Sequence, residues 1–181
     1  MSLPIRISAG YLKNQKIEAP QTSLTHPMSQ RIRQAIFNMI GSVEDLNILD
    51  AFAGSGSFGF EAVSRGAKSV VMIEKEYKSI KAIRQTASSL KIKDKVDVIN
   101  SDNKTYLLSA GIKFDLILVD PPYNALPSDL AFVIDYLREE GLLIVSIPKD
   151  SSDSLKKQFE KLDLLKEKNY GIVTILIYRK I

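Results

Sequence analysis

Asp120-Pro121-Pro122-Tyr123 follows directly on the apolar run Phe114-Asp115-Leu116-Ile117-Leu118-Val119. A proline has no N–H and a fixed φ, and the residue before a proline is held extended. Two prolines in a row therefore leave a stiff strand end whose carbonyls lack neighbouring donors. At such a place an acidic side chain and a bare carbonyl can both accept hydrogen bonds from one NH2 group. Tyr123 adds a flat face on which a base can stack. The chemistry this set suits is the holding and methylation of an amine. A proline turn that merely ends a strand has the same letters, so the assignment needs a second signal.

That signal lies upstream. Asn47-Ile48-Leu49-Asp50 leads into Ala51-Phe52-Ala53-Gly54-Ser55-Gly56-Ser57-Phe58-Gly59, an apolar strand running into a glycine loop and then a helical pattern. Gly54 and Gly56 let the backbone pass close to a ligand, and the helix N-terminus favours electronegative groups. Gly54-x-Gly56-x-x-Gly59 also fits the dinucleotide fingerprint. Glu74, at the end of Ser69-Val70-Val71-Met72-Ile73, can bind ribose hydroxyls in either case. The two alternatives separate at Asp120. A nicotinamide dehydrogenase does not need Asp-Pro-Pro-Tyr after its fourth strand, whereas an S-adenosylmethionine-dependent amino-methyltransferase does. The order Asp50, Phe52, Gly54, Gly56, Glu74, Asp102, Asp120 favours the second.

The elements that must position these residues alternate. Strands are expected at 48–51, 69–74, 96–100, 115–120 and 142–147, with helices at 57–65, 78–90, briefly after Asp102, and at 127–138. A helix at 152–161 and strands at 164–169 and 172–179, turned at Gly171, close the chain. This βαβ alternation demands a mainly parallel sheet with helices on both faces, and the last, tightly joined strand pair must be antiparallel. Before it, Ile5-Arg6-Ile7 and Gln15-Lys16-Ile17 flank a turn-rich stretch that reads as a small β-hairpin. A helix opened by Pro27 follows, through Ile32, Ile36 and Ile40 to Gly41.

Composition narrows the classes. A length of 181 residues suits one domain with a sizeable core. Residues 1–25 read as a basic hairpin arm and 26–181 as a catalytic Rossmann-like body. There is no Cys, hence no disulfide scaffold and no thiolate chemistry, and the single His26 rules out a His-rich metal centre. No run approaches the roughly 18 apolar residues of a membrane helix, nor does the start carry the long apolar region of a secretory signal. A cytoplasmic, metal-free protein is expected. Residues 1–40 hold Arg6, Lys13, Lys16, Arg31 and Arg33 against Glu18 alone, while the remainder has 20 basic and 20 acidic residues. A basic arm on a neutral body predicts a polyanion docking near one end.

The chain resembles the bacterial methyltransferases that modify the exocyclic N2 of a guanine in small-subunit (16S) ribosomal RNA. The likeness runs from Arg6 to about Ile147. It is carried by Arg6-Ile7-x-x-Gly10, Arg31-x-Arg33-x-x-x-Phe37-Asn38, and Phe52-Ala53-Gly54-Ser55-Gly56-x-x-Gly59-x-Glu61-Ala62-x-Ser64-Arg65-Gly66-Ala67. Glu74, Asp102 and Asp115-Leu116 through Tyr123 complete it. His26-Pro27-Met28-Ser29-Gln30 departs from the family's usual Arg-Pro-Thr lead, and Ser101 replaces the usual Gly before Asp102.

The resemblance implies a Rossmann-like class I methyltransferase with a seven-stranded sheet and S-adenosylmethionine as donor. Asp50, Phe52, Gly54, Ser55 and Gly56 would line the cofactor, Glu74 hold its ribose and Asp102 its adenine amino group. Asp120, Pro121, Pro122 and Tyr123 would form the catalytic turn. Arg6, Lys13, Lys16, Arg31 and Arg33 would meet RNA. The implied partner is 16S rRNA within a small-subunit assembly, met by a monomer away from any membrane. For Asp102, helix N-capping is the competing role. A DNA adenine-N6 methyltransferase shares the Asp-Pro-Pro-Tyr chemistry, but 181 residues leave no room for a sizeable target-recognition domain. A glutamine-N5 methyltransferase usually has Asn at 120. A noncatalytic RNA-binding module would have little reason to keep both Asp120 and Glu74.

Overall fold

Runs such as Phe114–Val119, buried along almost their whole length, cannot form a surface strand and must lie inside a sheet covered on both faces. In the computed structural model, which describes residues 4–18, 28–122, 130–151 and 156–181, they do. The strands are β1 (Asn47–Asp50), β2 (Ser69–Glu74), β3 (Val96–Asn100), β4 (Phe114–Val119), β5 (Leu137–Pro148), β6 (Asp163–Tyr170) and β7 (Val173–Arg179). They form one sheet in the order β3-β2-β1-β4-β5-β7-β6. β1 to β5 are parallel, and β7 runs antiparallel to both β5 and β6.

The α-helices are α1 (Gln30–Ile40), α2 (Ser57–Ser64), α3 (Tyr77–Ser89) and α4 (Asn103–Ala110). One buried cluster joins Ile36 and Phe37 of α1, Phe58 of α2 and Ile80 and Ile83 of α3 to one sheet face. A second cluster on the other face gathers Leu107 of α4, Val133, Phe159 and Tyr178. Gly59 is a packing residue: a Cβ there would collide with Met72 on β2. At the sheet edge, exposed β6 carries Lys166, Glu167 and Lys168, charges that discourage pairing with another chain.

Two of the sequence expectations are corrected, those at 127–138 and at the start of the first helix. The helix expected at 127–138 is replaced, among the described residues, by a 3-10 turn at Ala131–Tyr136. β5 then begins at Leu137, with an irregular register before Leu142 where Glu140 takes a positive φ. Of the helix expected at 152–161, residues 152–155 lie outside the described residues; Lys156 is helical, and a 3-10 turn follows at Lys157–Phe159. α1 starts at Gln30, with the Ser29 hydroxyl accepting the Ile32 N–H, so Ser29 and not Pro27 opens it; Pro27 lies outside the described residues.

The expected N-terminal hairpin is present. Residues 4–18 form a hairpin with a single antiparallel bridge, Arg6 to Lys16, and they pack into the body. Ile7 and Ile17 join the first cluster, and the Tyr11 N–H donates to the Ser64 carbonyl at 2.9 Å. Glu61 on α2, fully buried, holds this together. It accepts from the Ser8 N–H (2.7 Å) and hydroxyl (2.6 Å), from Arg65 Nε (3.0 Å) and, at 3.4 Å, from Arg33 Nε. Arg33 Nη2 in turn donates to the Arg6 carbonyl at 2.7 Å. Phe37 and Phe58 stack at 4.8 Å with Arg65 over Phe37, which seats α1 on α2.

Removing one partner of a buried ion pair leaves an uncompensated charge and costs about 3–5 kcal/mol. Glu61→Ala is expected to lose that much in urea denaturation. Pairing it with Arg33→Met should recover part of the loss, and simple additivity of the two changes would contradict the coupling.

Candidate active site

Between β2 and β4, β1 is where the strand order reverses. The chain runs outward from it to β2 and β3 on one side, and to β4 and β5 on the other. In such sheets ligands bind beyond the carboxyl ends of the strands at this reversal. Asp50 ends β1, and Asp120 directly follows β4.

Asp50 is 1% exposed, and its Oδ2 has no protein partner among the described residues. Burial, then the charge of Asp120, pushes its carboxyl up to about 7, against the backbone N–H groups of Gly59 and Phe52. Burial also raises Asp120 to about 6, opposed by a hydrogen bond from the Ser146 hydroxyl. Ser146 is a buried residue of β5. It was not among the sequence candidates, because a serine inside an apolar strand carries no motif. Pro121 is buried and Pro122 exposed, while Tyr123 lies outside the described residues.

The glycine loop is fastened to the end of β2. Glu74 Oε2 accepts the Gly54 N–H at 2.8 Å, and Oε1 accepts the N–H groups of Lys75 (2.7 Å) and Glu76 (2.9 Å). Gly54, at φ +54, faces open space among the described residues, where an added Cβ would meet no atom within 4 Å. Gly56, at φ +72, instead packs close to Phe60 and Ile83. The open side of the loop is therefore at Gly54, with Ser55 buried and Phe52 half-buried against the second cluster. Gly56 at the N-cap of α2 has no side chain to cap it, and the Gly59 N–H of the first turn goes to the Asp50 carboxyl instead.

Asp102 plays the competing role named above. It is the N-cap of α4, accepting from the Thr105 N–H (2.9 Å) and hydroxyl (2.7 Å). Those two bonds hold its carboxyl below the usual range. Each of its oxygens keeps a second lone pair, so capping does not bar a ligand amino group. Beside it, buried Asn103 donates to the Ala51 carbonyl and ties α4 to the glycine loop, while its Oδ1 has no partner among the described residues. Asn103 was also missed, since nothing in its sequence setting marks it.

The basic residues divide. Arg6, Lys13, Lys16 and Arg31 are exposed. Arg6 donates to the Asn14 carbonyl, and Lys16 lies 3.4 Å from Glu18. Arg33 is fully buried against Glu61 and cannot reach an RNA phosphate, so its assignment to an RNA contact is corrected. It was counted with the cations of residues 1–40 and matched a family motif, but a residue two positions on from Arg31 turns to the other side of the helix.

These residues fit a nucleoside carrying a positive charge. Two carboxyls that burial makes reluctant to ionise welcome a cation, the loop is open at Gly54, and two buried oxygens lack partners. Fold and site together define a Rossmann-like class I S-adenosylmethionine-dependent methyltransferase. The chain belongs to the family described as Conserved hypothetical protein 95, whose profile matches residues 5–179.

Among its relatives, the ribosomal RNA small subunit methyltransferase D of Haemophilus influenzae is 30% identical, over 97% of this chain and 93% of that protein. The protein of the same name from Escherichia coli K12 is 28% identical, over 97% and 90%. A solved Escherichia coli structure, described as "Putative methyltransferase yhhF", superposes with a TM-score of 0.83 at 27% identity, covering 98% of each chain.

Ionised Asp50 and Asp120 should hold a sulfonium better than their protonated forms do. Affinity for S-adenosylmethionine is therefore expected to rise with pH through the range of about 6 to 7, by at most about tenfold per unit for each titrating group, and then to level off. The uncharged thioether S-adenosylhomocysteine should gain much less. Calorimetric titration of both ligands across that range checks this, and parallel pH curves for the two would refute it.

Proposed function

We propose that this protein transfers a methyl group from S-adenosylmethionine to the exocyclic N2 amine of a guanine in small-subunit ribosomal RNA. The observation that carries the reading is Asp120 next to Pro121 at the end of β4, within electrostatic reach of Asp50 at the reversal point and beside the open glycine loop. The names of the relatives support ribosomal RNA as the substrate class. The choice of guanine N2 rests on the resemblance of the motifs and on the chemistry of the turn.

The guanine N2 lone pair is delocalised into the ring, so the free amine is a poor nucleophile. In this reading the Asp120 carboxylate and the Pro121 carbonyl accept its two N–H groups and draw the nitrogen toward tetrahedral shape. The lone pair is then localised along the line of attack. S-adenosylmethionine would supply an electrophilic methyl on a positively charged sulfur, which departs as a neutral thioether, and the nitrogen's surplus proton would pass to Asp120 or to water. The protein's own part is positioning: Ser146 orients Asp120, Glu74 fixes the glycine loop and would meet the ribose hydroxyls, and Asp102 would accept from the adenine amino group. Tyr123 would stack on a base turned out of its helix or already unpaired. Arg6, Lys13, Lys16 and Arg31 would meet phosphates.

Methyl transfer to small ribosomal subunits, naked rRNA and DNA, measured for the wild type and Asp120→Ala, tests the reading. The wild type is expected to label rRNA and not DNA. Asp120→Ala should still bind S-adenosylmethionine but lose about a hundredfold or more in single-turnover transfer, the scale of one positioned polar group. Labelling of DNA would overturn the substrate, and a near-wild-type rate in the variant would overturn the role of Asp120.

A further inference from the structure

The charge of the body is not evenly spread. Residues 75–95 hold seven basic side chains against two acids, Glu76 and Asp94. This excess lies on α3 and on the turn from α3 to β3, where Lys78, Lys81, Lys91 and Lys93 are exposed. Among the described residues, none of the seven forms an ion pair. Glu76 is occupied in capping α3, where it accepts the Ser79 N–H at 3.0 Å. Asp94 and Asp97 are the exposed acids that remain close to the surface.

Two hollows of about 300 and 370 Å³ run along this face and share Arg84. Tyr77, Lys81 and Gln85 line the first, Lys93 and Asp97 the second. Arg84 donates to the Val98 carbonyl at 3.0 Å, which fixes the guanidinium in the wall between them.

The N-terminal hairpin continues the same surface. The Glu18 N–H donates to the Thr86 hydroxyl of α3 at 3.0 Å. Tyr11 lies within electrostatic reach of Asp94 in the α3–β3 turn. Folding thus joins Lys13 and Lys16 to a second basic segment some seventy residues away in sequence. Tyr77 is 69% exposed and Tyr11 61%, so large aromatic faces lie open on both parts. Unpaired cations beside two exposed tyrosines suit a phosphate backbone with unstacked bases better than an acidic protein, because bases stack on aromatic rings. With a rise of 1.5 Å per residue, α3 is about 20 Å long, enough to follow several phosphates.

We propose that α3, the α3–β3 turn and the adjoining hairpin form one docking track for the backbone and unstacked bases of RNA, distinct from the methyl-transfer centre. This rests on RNA being the substrate. The test is the affinity of the full chain for 16S rRNA across a salt series, for the wild type and for Lys81→Gln/Lys91→Gln/Lys93→Gln. The variant should bind about tenfold or more weakly at low salt. Its slope of log affinity against log salt should be shallower by about 2–3, because three phosphate contacts no longer release counterions. Calorimetric affinity for S-adenosylmethionine and the melting temperature should match the wild type. Should the triple variant melt lower, the three single variants are compared in the same way, each with about one third of the slope change.

Unchanged affinity and slope would overturn the track while leaving the methyltransferase reading intact. Duplex DNA competing as well as rRNA would overturn its assignment to RNA. A wild type that binds rRNA through the track but methylates none of it would overturn the proposed function and leave the track standing.

Discussion

A carboxylate cut off from water must find its donors inside the protein, and Glu61 takes them from three separate segments. Ser8 supplies an N–H and a hydroxyl from the hairpin, Arg33 a guanidinium from α1, and Arg65 another from the end of α2. Such a cluster stabilises only when its geometry is complete, since each missing partner leaves a charge in a medium that cannot solvate it. It therefore dictates where the hairpin and α1 sit. It fixes them on α2, the helix that the glycine loop enters. The exposed cations of the hairpin consequently stand at a set position relative to the site, instead of swinging on a tether.

The site depends on a similar tension at the strand reversal. Asp50 and Asp120 sit near one another at the ends of adjacent strands, and burial disfavours the charge on each. A carboxylate forced into a low-dielectric place with an unpartnered oxygen costs stability unless something positive arrives. A cationic cofactor relieves that cost, and its uncharged product does so less. In the proposed reading, two raised carboxyls favour holding the methyl donor and releasing what remains after transfer. Ser146 and Asn103 serve the same centre from neighbouring elements: one orients Asp120, the other ties α4 to the loop carrying Gly54.

Much of this was legible in the sequence, for physical reasons. Uninterrupted apolar runs give buried parallel strands, and glycines between such a run and a helical pattern give the cofactor loop. Expected and observed ends of β1, β2, β4 and α3 differ by no more than a residue. Asp120, Glu74 and the glycine loop stand together at the carboxyl ends of the strands, as their order required. What failed was whatever depends on tertiary context. Arg33 reads as one more surface cation until Glu61, 28 residues away, is seen to bury it. The bulge at Glu140 turned an expected helix end into a strand. The hairpin was legible, but sequence could not show that its Ile7 and Ile17 enter the core. Summing the charge over the body hid the basic face of α3, since folding, not order in the chain, decides which charges are neighbours.

The central claim is chemical: the amine held at Asp120 is guanine N2 in small-subunit RNA. Small ribosomal subunits methylated by the purified protein with isotopically labelled S-adenosylmethionine, digested to nucleosides and resolved by mass spectrometry, test it most directly. The account predicts label in N2-methylguanosine at a single position of 16S rRNA. Label in N6-methyladenosine, or in the ribosomal proteins, would contradict it.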